Sequence, residues 1–299
     1  MKINSNSFLE LINSEEHIAL EKIINNKKLL EIFTSEKEIT QDEINFLLIN
    51  NGKNNLHYQV HASIIKFMME EILEIKKIKS KIKFDFFDHI HNDITKILQK
   101  PDLTDLTIED IIYLMEKIHH DYLNSEYILQ EEHISKKKSK INLKDKGAVY
   151  TPNQIAEDIV KRTIDTFFQK TKNHNASILD FGCGTGRFFF AALKHLKEKT
   201  KKSNEEIILE NLFAIDSDPI AMAILIIKSC LKSSNFSDNF FKKLSNRLIC
   251  NNMLHVNEFL KSDPIGFDFK ETFPQVFKNN GFDMIISNPP YFILKGTGN

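Results

Sequence analysis

The sequence has few of the residues that would tie it to an oxidising compartment or a membrane. Among 299 residues there are three cysteines, Cys183, Cys230 and Cys250. Their number is odd, they lie far apart and no C-x-x-C pair occurs, so neither a disulfide framework nor a zinc site is indicated. The longest apolar run, Ile220 to Ile227, is far too short to span a bilayer. The amino terminus, MKINSNSFLELINSEEHIAL, has no apolar core followed by small residues and so lacks the form of a signal peptide. Charge of one sign is missing as well. The formal net charge is −1, so any contact with nucleic acid must come from a local patch. A cytoplasmic protein without a membrane partner is the expectation.

Glycine and proline are nearly absent from residues 1 to about 135, where Gly52 and Pro101 stand alone. Apolar residues there recur at helical spacing, as in ASIIKFMMEEILEIKKI and LTIEDIIYLMEKIHHDYL, the second with Thr104 or Thr107 as a cap. This predicts an all-helical domain over 1–146, closed by a basic linker, SKKKSKINLKDKG (135–147). Its lysines are either a solvated surface or a phosphate contact. The histidine clusters HIH (89–91) and HHD (119–121) have no matching pair on a second helix, so no metal site is expected. Glu74-Ile75-Lys76 has the acid-x-lysine form of a nuclease but lacks an acidic strand just upstream.

From residue 147 the pattern changes. SILDF, NLFAID, RLIC and FDMIIS alternate with helical stretches, which predicts an α/β domain over 147–299 with a parallel sheet between helices. Strands are expected near 178–182, 211–216, 247–251 and 283–287. In ILDFGCGTGRFFFAAL (178–193), Gly182, Gly184 and Gly186 permit a tight turn and close approach of backbone to a ligand. A dinucleotide fingerprint needs a small residue where Arg187 stands. That departure, with Asp180 ahead of the turn, favours S-adenosylmethionine, whose ammonium needs a carboxylate nearby. NLFAIDSDPIAM (211–222) ends a second strand in Asp216, placed to accept from both ribose hydroxyls. Asp218 with Pro219 reads as the cap of the next helix.

Asn288-Pro289-Pro290-Tyr291 follows the last strand and suits a particular chemistry. The exocyclic nitrogen of adenine is a poor nucleophile because its lone pair is delocalised into the ring. Two acceptors, the Asn288 side-chain oxygen and the Pro289 carbonyl, would draw it toward a tetrahedral form. The prolines fix φ and donate no hydrogen bond, which holds those acceptors still. Tyr291 offers a ring on which a planar base can stack.

GAVYTPNQIAEDIV (147–160), DFGCGTG, AIDSDP and NPPY occur in the order seen in gamma-class N6-adenine DNA methyltransferases. FDFKETFPQVFKNNGFDMIISNPPYF (267–292) resembles more specifically the type IIG restriction-modification enzymes and their standalone relatives. The resemblance implies a Rossmann-like S-adenosylmethionine-dependent methyltransferase sheet acting on double-stranded DNA whose target adenine is flipped out. By position it implies that Tyr150 and Thr151 contact the methionine end of the cofactor, together with Asp180 and the glycine turn. Asp216 then holds the ribose, and Asn288 to Tyr291 the adenine. Asn252 stands where many relatives carry an acid that bonds the cofactor's adenine. Type I modification subunits share the layout but usually end the catalytic motif in Phe. An RNA adenine or protein-glutamine methyltransferase, or a non-catalytic interaction module, are the other readings.

The resemblance further implies three more strands and a target-recognition domain after the fourth strand. The sequence is therefore expected to be the front portion of a larger enzyme, either cut short or one half of a split one whose remaining strands and target-recognition domain a downstream polypeptide would carry, and to be a poor catalyst alone.

Overall fold

A computed structural model describes residues 5–26, 44, 48, 55–78, 92–98, 102–130, 133–138, 151–173, 175–251 and 267–288. The chain divides into two compact units, residues 1–79 with 83–142 and residues 80–82 with 143–299.

In the first unit the described helices are α1 (Ser5–Ile24), α2 (Leu56–Ile75), α3 (Asn92–Ile97) and α4 (Ile108–Asn124). α4 starts at Thr107, which accepts from the Asp110 amide while Asp110 bonds back to the Thr107 amide, so two orphan donors are met reciprocally. Ile111, Leu114, Met115 and Ile118 bury one face of it. Contrary to the all-helical expectation, α4 runs into an antiparallel hairpin, β1 (Ser125–Gln130) and β2 (His133–Lys138). The expected linker begins inside β2. The reason lies in a two-residue period: Tyr127 and Leu129 on β1 are buried, with Ile134 buried on β2, and this alternation outweighs the basic character of Lys136–Lys138.

Lys136 also has a buried destination. Its ammonium lies 3.2 Å from Glu16 Oε2 on α1 and 2.6 Å from Asp121 Oδ2 on α4, and it donates to Asn13 Oδ1 at 3.0 Å. Glu16, itself 2 % exposed, accepts from the Tyr127 hydroxyl at 3.2 Å. Its other oxygen is 3.3 Å from His57 Nε2 and 3.7 Å from His61 Nδ1, both on α2. His61 in turn lies 3.3 Å from His119 Nδ1 of the HHD cluster and stacks on Tyr122. A matching histidine pair therefore does exist, one turn apart on α2. Among the described residues, however, no group of three or more His, Cys, Asp or Glu side chains is arranged to hold a metal ion.

The second unit begins with α5 (Asn153–Thr171) and continues as β3 (Ile178–Phe181), α6 (Arg187–Lys199), α7 (Asn204–Glu210) and β4 (Leu212–Asp216). Then come α8 (Pro219–Ser233), α9 (Asp238–Leu244), β5 (Leu248–Cys250), α10 (Phe269–Thr272), α11 (Pro274–Phe277) and β6 (Met284–Ile286). The four strands fall where their apolar runs place them and pair in parallel, in the order β5-β4-β3-β6. The chain thus lays down β3, β4 and β5 outward in one direction, then returns to set β6 on the other side of β3. That reversal is the switch point at which open α/β sheets bind ligands, outside the carboxyl ends of the strands.

One face of the sheet is covered by the segment the sequence marks with repeated phenylalanine. Leu179, Phe213 and Ile215 from the strands pack against Phe267, Phe273 and Val276, with Phe269, Phe277 and Phe282 alongside. Phe273 and Phe282 meet Phe213 edge-on at ring separations of 5.6 and 5.1 Å, the geometry that aromatic quadrupoles favour. α6 and α8 pack on β4, and α8 also on β5. Phe273 is fully enclosed, so Phe273→Ala should lower stability by about 3–5 kcal/mol. A shifted denaturant midpoint at constant slope checks this; an unchanged midpoint removes Phe273 from the core account.

The amino ends of β3 and β6 are clasped together. Asp283 Oδ2 accepts from the Ser177 amide at 2.8 Å and the Ser177 hydroxyl at 2.9 Å, while Ser177 Oγ accepts from the Asp283 amide at 3.1 Å. This fixes the pairing of Ile178 with Met284 and Asp180 with Ile286.

Candidate functional site

Because the four strands are parallel, the glycine turn after β3, Asp216 at the end of β4 and Asn288 beyond β6 all lie at one edge of the sheet. The turn hangs on β4: the amides of Gly182 and Cys183 both donate to the Ile215 carbonyl, at 2.9 and 3.0 Å. Gly186 has φ +89, and a Cβ there would stand 2.4 Å from Leu225 Cδ1 of α8. Its role is packing. Gly184, with φ +52, is different, since a Cβ there would meet nothing within 4 Å. Open space lies over this backbone, and a left-handed residue is strained unless it is glycine.

Asp216 is tied to the turn rather than left loose. Oδ2 accepts from the Gly184 amide at 2.7 Å and Oδ1 from the Asp218 amide at 2.8 Å. These two bonds to the backbone fix the direction in which the carboxylate is aimed. Asp218 caps α8 as expected, accepting from the amides of Ile220 and Ala221.

Asp180 is 3 % exposed. One oxygen accepts from the Phe189 amide in the first turn of α6 at 2.9 Å, and the other has no hydrogen-bond partner. Burial pushes its carboxyl up to about 8; the Phe189 amide opposes the rise and the charge on Asp216 adds to it. A buried acid half-satisfied in this way gains from a cation brought to it.

Asn288 reaches across to the segment that opens α5. Its Nδ2 donates to Thr151 Oγ1 at 3.1 Å. Arg187, at the start of α6, donates to the Thr151 carbonyl at 3.2 Å and to Asn153 Oδ1 at 2.7 Å. The preceding Ser287 hydroxyl donates to the Phe181 carbonyl, so the chain leaving β6 is bonded back to the end of β3. Thr151, Asp180, the three glycines, Asp216 and Asn288 are thus brought to one edge. Tyr150, Asn252, Pro289, Pro290 and Tyr291 lie outside the described residues, as do His89 and His91. Sequence reasoning treated Arg187 only as a departure from a dinucleotide pattern and missed its bonds. The available signal was a cation at the first position of a helix, where the macrodipole disfavours it.

Residues 210–299 match the family model of the Eco57I restriction-modification methylase. This part of the chain is similar to those methylases. It takes in β4 with Asp216, the phenylalanine cover, β6 and the Asn288 corner, and it supports a DNA methyltransferase of the restriction-modification type. The glycine turn and Thr151 precede the Eco57I-like segment. A search of curated proteins finds no match. Among the described residues, no helix is long and apolar enough to cross a membrane.

Proposed function

We propose that this chain is a site-specific DNA methyltransferase of the gamma class, of type IIG character. It would transfer a methyl group from S-adenosylmethionine to the N6 amine of adenine within a restriction-modification system. One observation carries the reading: β3 carries Asp180 and leads into a glycine turn, β4 ends in Asp216, and Asn288 follows β6, on adjacent parallel strands at the switch point of the sheet. The order of elements and the Eco57I similarity support it.

The residues fit the cofactor. The unpartnered oxygen of buried Asp180 suits a group carrying an ammonium, Asp216 has acceptor capacity for ribose hydroxyls, and the space over Gly184 leaves room for a ligand against the backbone. When bound, the cofactor supplies a sulfonium methyl whose departure extinguishes a positive charge, so the protein need not supply a strong base. Asn288 accepts from one hydrogen of the target amine and the Pro289 carbonyl from the other, which localises the nitrogen lone pair toward the methyl. Pro290 stiffens the corner and Tyr291 stacks on the extruded base, while Tyr150, the backbone of Thr151 and Asn252 complete the cofactor contacts. Double-stranded DNA is the partner, and a flipped adenine the reacting base.

Asp216→Ala should weaken S-adenosylmethionine binding by about 1–3 kcal/mol, the loss of charge-assisted hydrogen bonds. Isothermal calorimetry reads this directly, and unchanged affinity would take Asp216 out of the cofactor site. Binding of the cofactor with methyl transfer to RNA or to a protein glutamine, and none to DNA, would replace the substrate assignment.

A further inference from the structure

Arg187 occupies a position that costs it energy. It is the first residue of α6, where the helix dipole disfavours a cation. It donates to a carbonyl and an amide oxygen of the segment 151–153. That segment has need of the tie, because α5 starts at Pro152 with no side-chain cap bond. The segment in turn presents the Thr151 hydroxyl to Asn288.

The amide of asparagine carries its acceptor and its donors on opposite branches. With Nδ2 donating to Thr151 Oγ1 at 3.1 Å, that branch of the amide is tied to the threonine and Oδ1 lies on the other branch. An asparagine that turned its NH2 toward an amine would repel it, since both would be donors. We infer that Thr151, braced by Arg187, is a positioning residue that sets the rotamer of Asn288 so that its oxygen faces the target amine. This rests on the proposed function and deepens it. It moves the Thr151 hydroxyl from the cofactor, where the family resemblance puts it, to the Asn288 side chain. It also links the glycine turn to the base-binding corner through three side chains from three separate stretches of sequence. Misplacement of a reacting group by about 1 Å costs on the order of 100-fold in rate, so a hydroxyl that holds one amide in place has a large effect to deliver.

The test uses three variants and two measurements. In 15N spectra of the 299-residue chain, the Asn288 side-chain amide, assigned by its disappearance in Asn288→Asp, should exchange slowly with solvent. Exchange should become fast in Thr151→Val, which keeps the shape and loses the acceptor, stay slow in Thr151→Ser, and quicken in Arg187→Gln. In cells carrying the intact locus, N6-methyladenine formation should fall about 10- to 100-fold in Thr151→Val and recover in Thr151→Ser. Calorimetric affinity for S-adenosylmethionine should change less than about threefold throughout, since the hydroxyl serves the asparagine. Unchanged amide exchange in Thr151→Val overturns the inference, and so does a cofactor affinity that falls by the same factor as methylation. An unmutated locus that methylates no adenine overturns the proposed function instead, and the amide measurement distinguishes the two failures.

Discussion

Replacing Asn288 with alanine should abolish adenine methylation while leaving the cofactor bound. The oxygen it removes is the one side-chain acceptor proposed for the target amine, and a preorganised polar group of this kind contributes roughly 100- to 1000-fold in rate. Because Asn288 sits beyond β6 whereas Asp216 and the glycine turn end β4 and β3, affinity for S-adenosylmethionine should hold within about twofold. Single-molecule sequencing of genomic DNA from cells with the intact locus reads the first quantity and calorimetry on the chain reads the second. Retained methylation in Asn288→Ala would remove the corner from catalysis. Loss of cofactor binding in step with methylation would make Asn288 a structural residue of the turn.

Acid should destabilise the amino-terminal unit before ordinary carboxylates titrate. His61 is fully enclosed, and burial lowers its pKa from 6.5 to about 4; Glu16 opposes the fall, and the charges of His119 and His57 add to it. Between those values the unfolded chain takes up a proton that the folded one refuses, so stability declines as pH falls from 6.5 toward 4. The difference corresponds to about 3 kcal/mol. Burial alone would raise the Glu16 carboxyl, yet His57, His61 and Lys136 outweigh it and hold Glu16 well below 4.5. Its contribution is therefore present above 4.5 and is lost on further acidification, in the same direction. The groups facing this pair are Tyr127, Lys136, Asp121 and His119. Glu16→Ala, which removes the buried carboxylate shared by Lys136, the Tyr127 hydroxyl and the His57–His61 pair and leaves Lys136 with Asp121 alone, should cost about 3–5 kcal/mol at neutral pH. Denaturant titrations followed by hydrogen exchange in β1 would measure both effects, and flat stability from pH 7 to 4 would refute the account of His61.

The sequence makes the strands of the second unit legible because each is a short apolar run at the start of a turn. Glycine, aspartate and proline mark the turns by physical necessity: a left-handed backbone at Gly184, a cap at Asp218, a fixed φ at Pro219. What periodicity cannot carry is a bond between distant positions. Arg187 to Thr151 and Asn288 to Thr151 join residues whose separations in sequence say nothing of their adjacency in space. Glu16 with His57 and His61 is a similar case, since a carboxylate on one helix and two imidazoles on another look like surface residues until the helices pack. The hairpin was misread for another reason. Lys136, Lys137 and Lys138 carry the composition of a linker, and the buried alternation of Tyr127, Leu129 and Ile134, with the tie from Lys136 to buried Glu16, makes that stretch a strand.

The clasp between Ser177 and Asp283 makes a far end of the sheet answerable for the accuracy of its near end. A strand advances about 3.3 Å per residue, and a slip of one residue turns every side chain over to the opposite face. From the clasp to Asn288 the chain has only five steps, three of them through β6. The two residues thus act as the zero mark of a short ruler whose other end is Asn288, the residue proposed to hold the base. A substitution at Ser177 lies at the opposite end of the strands from the proposed site, yet it loosens the datum from which the position of Asn288 is measured, and a screen for activity should find it alongside the proposed site residues.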